Sequence, residues 1–208
     1  MLCSYQAAKL LQTIFDFSHA IDLTTTFDQL TPFVPGWSLV YIGSYFFWFY
    51  VYTTAARDSV QTACRLAVAD IFGKLVSLIF FLALPTTNVR PETDGAGLTM
   101  FLMRTIYQLD TPTNLFPSMH CFIAWLGTRY ILTAKNLPHK WLHRIIAFLG
   151  SLAIFASTLF TKQHVIWDVF GAILIAETGM LIARFSPLSI HIEKWNQKFM
   201  QTSLCKFL

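Results

Sequence analysis

Apolar residues fall along this chain in long unbroken blocks, and five of the blocks approach the roughly 20 residues that cross a bilayer as a helix. They cover residues 37–52, about 66–84, 120 to about 133, 145–160 and 164 to about 183. Pro32 and Pro35 precede the first block, Pro85 ends the second, and the polar turn Thr161-Lys162-Gln163 parts the last two. Residues 1–34 are different. The stretch AAKLLQTIFDFSHAIDL keeps helical spacing but carries Lys9, Asp16, His19 and Asp22, the pattern of an amphipathic helix lying in the interface. The connection 86–118 is long, and connections of that length usually carry function. Within it Leu98, Phe101, Leu102, Thr105, Ile106 and Leu109 recur at helical spacing, which predicts a helix on the membrane surface. The expected fold is therefore all-α: one integral membrane domain, residues 1–208, built as a bundle of five transmembrane helices. A sixth is the alternative if residues 1–34 span, and residues 186–208 form a cytoplasmic tail.

Composition agrees with a bilayer as the solvent. Charged residues are 12% of the chain, about half the usual share in soluble domains, hydrophobic residues reach 55%, and mean hydropathy is +0.52. The net charge of +4 comes with no basic run interleaved with aromatics, so a nucleic-acid partner is excluded. Cys3, Cys64, Cys121 and Cys205 lie far apart with no Cys-x-x-Cys pair, which gives neither a zinc nor a redox motif. The N-terminus shows no basic, apolar and small-residue succession, so no cleaved signal peptide is expected. Of the 15 Lys and Arg residues, nine fall in the segments after the first, third and fifth spans, and four fall in the other group of segments. The excess marks the cytoplasmic side. The expected setting is a plasma membrane crossed several times, with segment 86–118 and the 161–163 turn outside.

That orientation gathers three polar clusters on one membrane face: NVRPE at 88–92, FPSMH at 116–120 and TKQHVIWD at 161–168. His164 and Asp168 are four residues apart, so they share one face of a helix. A carboxylate there fixes the tautomer of the imidazole and leaves its other nitrogen free to attack. Ser118 stands where a helix begins, and the free N–H groups of such a start favour an anion. Arg90 can hold two oxygens of a phosphate at once. His120 would stand beside that anion and give a proton to a departing oxygen. Taken singly, each cluster has a plain structural explanation; their convergence points to a site.

The order Arg-Pro, then Pro-Ser-x-His, then His-x-x-x-Asp resembles the type 2 phosphatidic acid phosphatase superfamily of membrane lipid phosphatases. That family also contains lipid head-group phosphotransferases and soluble vanadium haloperoxidases. The resemblance runs from about residue 65 to 185, the expected catalytic core. It implies a phosphohistidine mechanism on a lipid phosphate: His164 attacks phosphorus, Asp168 holds it, and His120 protonates the leaving group. Arg90 and Ser118 would bind the phosphoryl oxygens, with no metal and no cofactor. The acceptor would be water, as in a phosphatase, or an alcohol, as in a transferase; a non-catalytic lipid-binding protein is the remaining alternative.

Two cations of the family pattern are absent. Ala83 stands seven before Arg90, where the family carries lysine, and Ser157-Thr158 replaces its Ser-Arg; Met119 stands where glycine is frequent. Lys162 is the expected substitute for one lost charge, with Arg104 behind it. Of the other intramembrane polar residues, Asp70 and Lys74 are expected to pair at i,i+4. Glu177 is expected to sit deep without an evident partner, Arg129 to reach toward the cytoplasm, and His139 and His143 to be solvated.

Overall fold

A computed structural model describes residues 20–187 together with 190, 191 and 194. Its elements, in chain order, are a two-residue strand β1 (Ile21–Asp22), the short helix α1 (Thr26–Leu30), a 3-10 turn (Pro35–Trp37), α2 (Ser38–Ala56), α3 (Val60–Ala83), a second two-residue strand β2 (Thr86–Thr87), α4 (Leu98–Leu109), α5 (Met119–Thr133), α6 (Lys140–Phe160) and α7 (Ile166–Phe185). β1 and β2 pair in parallel, Ile21 opposite Thr86. The molecule is otherwise helical, as expected.

Among the described residues, three helices are long and apolar enough to cross a membrane: α3, α6 and α7. The expectation of five is thus met in part, and the reason lies in α2 and α5. The 19 residues of α2 include four tyrosines, two serines and two threonines, whose hydroxyls lower its hydropathy. The 15 residues of α5 extend about 22 Å, short of the roughly 30 Å hydrocarbon core. Instead, α5 is central. It packs against α2, α3, α6 and α7, and Cys121, Phe122, Ala124, Leu126 and Ile131 on it are fully enclosed. The outer helices turn large apolar side chains outward: Phe46 and Phe49, Ile71 and Ile79, Leu149, Leu174 and Leu181.

Close approach of α5 to α3 requires the glycine at position 73. A Cβ there would overlap the Phe122 ring, which fills the space that Gly73 leaves. Gly171 on α7 does the same for Phe116, the first residue of FPSMH, whose ring also packs edge-on to Phe80 with centroids 5.1 Å apart.

Two ion pairs join charges within the helices, one of them against expectation. Lys74 and Asp70 form the i,i+4 ion pair, and Tyr52 donates to the same carboxylate at 2.7 Å. Glu177 has two partners: Arg129, with one guanidinium nitrogen at 3.1 Å, and the Trp125 indole N–H at 2.9 Å. Arg129 therefore turns across the bundle toward α7, because a carboxylate one helix away satisfies it without lengthening its path to water. His143 is likewise bonded, to the Tyr50 hydroxyl at 2.8 Å.

The amphipathic helix expected over residues 7–23 lies outside the described residues except for 20–23. In the described segment that follows, Thr25 caps α1, whose Asp28 answers in a capping box, and Pro32 and Pro35 end helical continuation. Asp28 Oδ1 accepts the N–H of Ile166, so this segment folds onto the start of α7. Residues 1–19, and the tail beyond 187 apart from three positions, lie outside the described residues.

Candidate active site

The three polar clusters meet, and hydrogen bonds join them pairwise. Thr86 Oγ1, four residues before Arg90, accepts from the buried N–H groups of Leu115 and Phe116 at 2.9 and 2.8 Å. Asn88 Nδ2 donates to the Lys162 carbonyl at 3.0 Å, tying the Arg-Pro segment to the turn before α7. The Ser118 N–H donates to the Asp168 carbonyl at 3.1 Å, tying the start of α5 to the first turn of α7. Three stretches remote in sequence are thereby fixed around one point.

His164 and Asp168 are bonded, Nδ1 to Oδ2 at 3.0 Å, and Asp168 is fully buried. The same Oδ2 accepts the Val165 N–H at 3.0 Å, so the carboxylate also caps α7 in the positive field of its N-terminus. Since a carboxylate only accepts, the Nδ1 position carries the proton and Nε2 is left with its lone pair. His120, 3% exposed, lies with its ring centre 6.2 Å from that of His164. The two rings are tilted by 54° and both border one cavity, in which a phosphoryl group would have to lie beside them and not between them. Three aromatics of α2 surround the His120 ring: Tyr41 stacks at 4.2 Å, Trp48 at 4.9 Å and Tyr45 edge-on at 6.0 Å.

Two cavities touch His164. One, of about 520 Å³, is lined by both histidines, by Tyr41, Ile42 and Tyr45 of α2, by Thr105, Ile106 and Leu109 of α4, and by Asp110, Thr113, Asn114, Leu115, Pro117 and Met119 between α4 and α5. The other, also about 520 Å³, is lined by Arg90, Lys162, Asn88, Asp22, Asp28 and Gln29. Arg90 thus shares the second cavity with His164, and His120 shares the first. The Arg90 guanidinium donates to Gln163 Oε1 at 2.9 Å and to the Asp110 carbonyl, and it stands 4.7 Å over the Tyr107 ring. Burial pushes the Tyr107 hydroxyl up to about 12, with the Arg90 charge opposing, so it stays a neutral donor to the Thr161 carbonyl.

Ser118 is fully buried and caps α5, its Oγ accepting the Cys121 N–H at 3.4 Å, and it lines neither cavity. Lys162 does line the second, but its ammonium donates to the carbonyls of Asp28 and Thr31. Burial lowers its pKa, and the Asp28 charge works the other way. Arg104 bonds the carbonyls of Thr93 and Gly95.

Sequence reasoning missed Gln163, Asp110 and Tyr41. Gln163, 1% exposed and bonded to Arg90, could have been found as an amide directly before His164. Asp110 closes the α4 pattern and carried a signal as the acid nearest FPSMH. Tyr41, in an aromatic run, carried none. No family model, curated protein or solved structure matches the chain.

Proposed function

We propose that the protein is a membrane lipid phosphatase, with a bundle of five spans and its site on the extracytoplasmic face of a plasma membrane. Its substrate would be a phosphomonoester or diphosphate of a lipid: phosphatidic acid, phosphatidylglycerophosphate or a polyprenyl diphosphate. The observation that supports this best is the His164–Asp168 bond with the His120 ring centre 6.2 Å from that of His164, both beside an apolar-lined cavity large enough for part of a lipid. The order of motifs that resembles the type 2 phosphatidic acid phosphatases supports it independently. α2 and α5 would count as spans because Tyr41, Ser38, Ser44 and Thr54 of the one are buried in the bundle and the other helices surround the shorter other.

In the first step the His164 Nε2 lone pair forms a bond to phosphorus and the bond to the lipid oxygen breaks. His120 gives that oxygen a proton. Asp168 balances the positive charge that builds on the phosphorylated imidazole. In the second step water loses a proton to His120 and attacks phosphorus, and the P–N bond breaks to return Nε2. Arg90 would pair with phosphoryl oxygens, while Ser118 would contribute through the helix start it caps and Lys162 through its charge at the second cavity. No metal or cofactor enters this scheme. The same two histidines could pass the phosphoryl group to an alcohol.

A panel of lipid phosphates, incubated with purified protein with and without chelator, tests the reading through inorganic phosphate released. Release is expected to survive chelation and to vanish in His164→Ala. Activity that persists in that variant overturns the nucleophile.

A further inference from the structure

We infer that Arg129 and Glu177 form the centre of an interface between two copies of this chain, each copy closing the other's ion pair inside the bilayer. The chemistry at His164 plays no part in it. Glu177 lies about 17 Å along α7 from Ile166, near the middle of the roughly 30 Å hydrocarbon layer that α7 is long and apolar enough to cross. Yet the Arg129 and Glu177 side chains are 30% and 39% exposed. A bilayer penalises that position: a charge at such depth normally turns to the interior of a bundle or to a water-filled cavity. Here α6 and α7 each pack on α5 but scarcely on one another, so a strip of α5 shows between them. Trp125 borders the strip toward Phe148 and Phe155 of α6, and Arg129 borders it toward Glu177 of α7.

The hydrogen bonds define what must cover the strip. Glu177 Oε1 accepts twice, from the Trp125 indole and from Arg129 Nε, whereas Oε2 accepts once, from Arg129 Nη2 at 3.1 Å. Arg129 Nη1 donates to nothing among the described residues. One patch thus keeps an unused donor and an unused acceptor at the same depth. Lipid tails offer neither group, and a head group would have to leave the interface to reach them. A partner bringing a lone cation or a lone anion would satisfy only one of the two. A second copy, inserted in the same direction and turned by half a revolution about the membrane normal, satisfies both. Its Nη1 then meets Oε2 of the first copy, and its Oε2 meets the first copy's Nη1. Such bonds are charge-assisted and shielded from water, which makes them strong and directional. The surface beside the pair admits a helix. Thr178 is small and spends its hydroxyl on the Leu174 carbonyl, and the strip continues at Leu132 into an apolar groove of about 340 Å³ against α6.

The test is subunit counting with charge reversals. Full-length protein carrying one dye per chain is reconstituted in phosphatidylcholine vesicles at falling protein-to-lipid ratios, and bleaching steps are counted. The native chain should bleach in two steps. Arg129→Glu and Glu177→Arg each set like charges against one another across the axis, and each should raise the dissociation constant about tenfold or more, the worth of a hydrogen bond to a charged group. Mixed together, the two variants should pair again, read by energy transfer between two dyes, because two acids then face two cations. The double exchange, Arg129→Glu with Glu177→Arg in one chain, restores the ion pair within each copy and should self-associate like the native protein. It decides the matter if a single variant fails to fold. A native chain that bleaches in one step at every density overturns the interface, which is also the result if another protein or another part of this chain covers the strip. Dimers that survive both single reversals overturn it as well, as do folded single variants that fail to pair when mixed, or a folded double exchange that stays monomeric.

Discussion

Replacing Asp168 with Asn removes one charge and very little else. In the native chain Oδ2 accepts both from His164 Nδ1 and from the Val165 N–H, each at 3.0 Å. Because Val165 offers a donor that cannot reverse, the asparagine should turn its carbonyl oxygen to that position. Both bonds then survive, and His164 keeps the tautomer with Nε2 free. What is lost, on the proposed mechanism, is the attraction between the carboxylate and the positive charge that would build on the phosphorylated ring. At about 4 Å and an effective dielectric near 20, that attraction is about 4 kcal/mol. The barrier to forming the phosphoenzyme should rise by nearly that amount, about a thousandfold in rate. The assay is initial phosphate release from phosphatidic acid micelles, with acid-quenched trapping of labelled protein. Thermal unfolding checks that the α7 cap is retained. Asp168→Leu, which also strands the Val165 N–H, should unfold several degrees lower. If folded Asp168→Asn turns over within about tenfold of the native protein, the carboxylate does not serve the transition state in the way described.

Three further outcomes follow from the packing. Thr86→Val, close to isosteric, strands the N–H groups of Leu115 and Phe116 at about 1–3 kcal/mol each; it should lower both the melting temperature and turnover, by loosening the FPSMH segment. Gly171→Ala drives a methyl into the Phe116 ring and should cost about 1–3 kcal/mol by overpacking, read as a lower midpoint in detergent melts; Phe116→Leu in the same chain should restore part of it. Asp58 joins the two helix connections at the end of the bundle away from the histidines. Burial would raise its pKa, but N–H groups of Asn136 and Lys135 and the Thr62 hydroxyl hold it below its ordinary 3.8. Its folded pKa is thus depressed, so its stabilisation is complete at neutral pH and fades as pH falls below about 4. The melting gap between the native protein and Asp58→Ala should narrow over that range, and a gap constant down to pH 3 would refute the assignment.

Helical periodicity located what lies in long, uniform segments. α4 spans the residues that its apolar spacing marks, and α3, α5, α6 and α7 fall on the expected blocks with their ends moved by a few residues. The His164–Asp168 pairing was expected from a shared helix face, but His164 stands in the bend before Val165, the N-cap of α7, and the bond forms because Asp168 turns back over the helix start. Partners on different helices were not legible. Glu177 looked solitary and Arg129 looked bound for the surface, since nothing in either neighbourhood says that α5 and α7 pack with those two positions level. The fold of residues 20–34 onto α7 was hidden for a related reason: Asp28 acts through a backbone N–H of Ile166, a group that every residue carries. The triangle of bonds through Thr86, Asn88 and Ser118 is likewise invisible in the sequence, because two of its acceptors are backbone carbonyls.

The missing cations are where local spacing and tertiary contact part most clearly. Lys162 stands two residues before His164, which by sequence makes it the natural replacement for a lost lysine or arginine. Yet its backbone turns at φ 53°, in the left-handed region, and its ammonium reaches back to the carbonyls of Asp28 and Thr31. Arg104 is similarly committed to the loop before α4. A cation bonded to backbone carbonyls contributes its field and whatever N–H groups those bonds leave. Arg90 is bonded in the same way, to the Asp110 carbonyl and to Gln163, and on the proposed mechanism its guanidinium, richer in donors than an ammonium, would make the direct contact together with neutral donors at the start of α5. In a site walled by apolar helices each such donor is worth more than it would be in water. Asp110 lines the first cavity with the two histidines, and Arg90, which bonds its carbonyl, lines the second beside Lys162, Asp22 and Asp28. Both cavities therefore carry acids, while the cations among their lining residues stand only on the second side of His164.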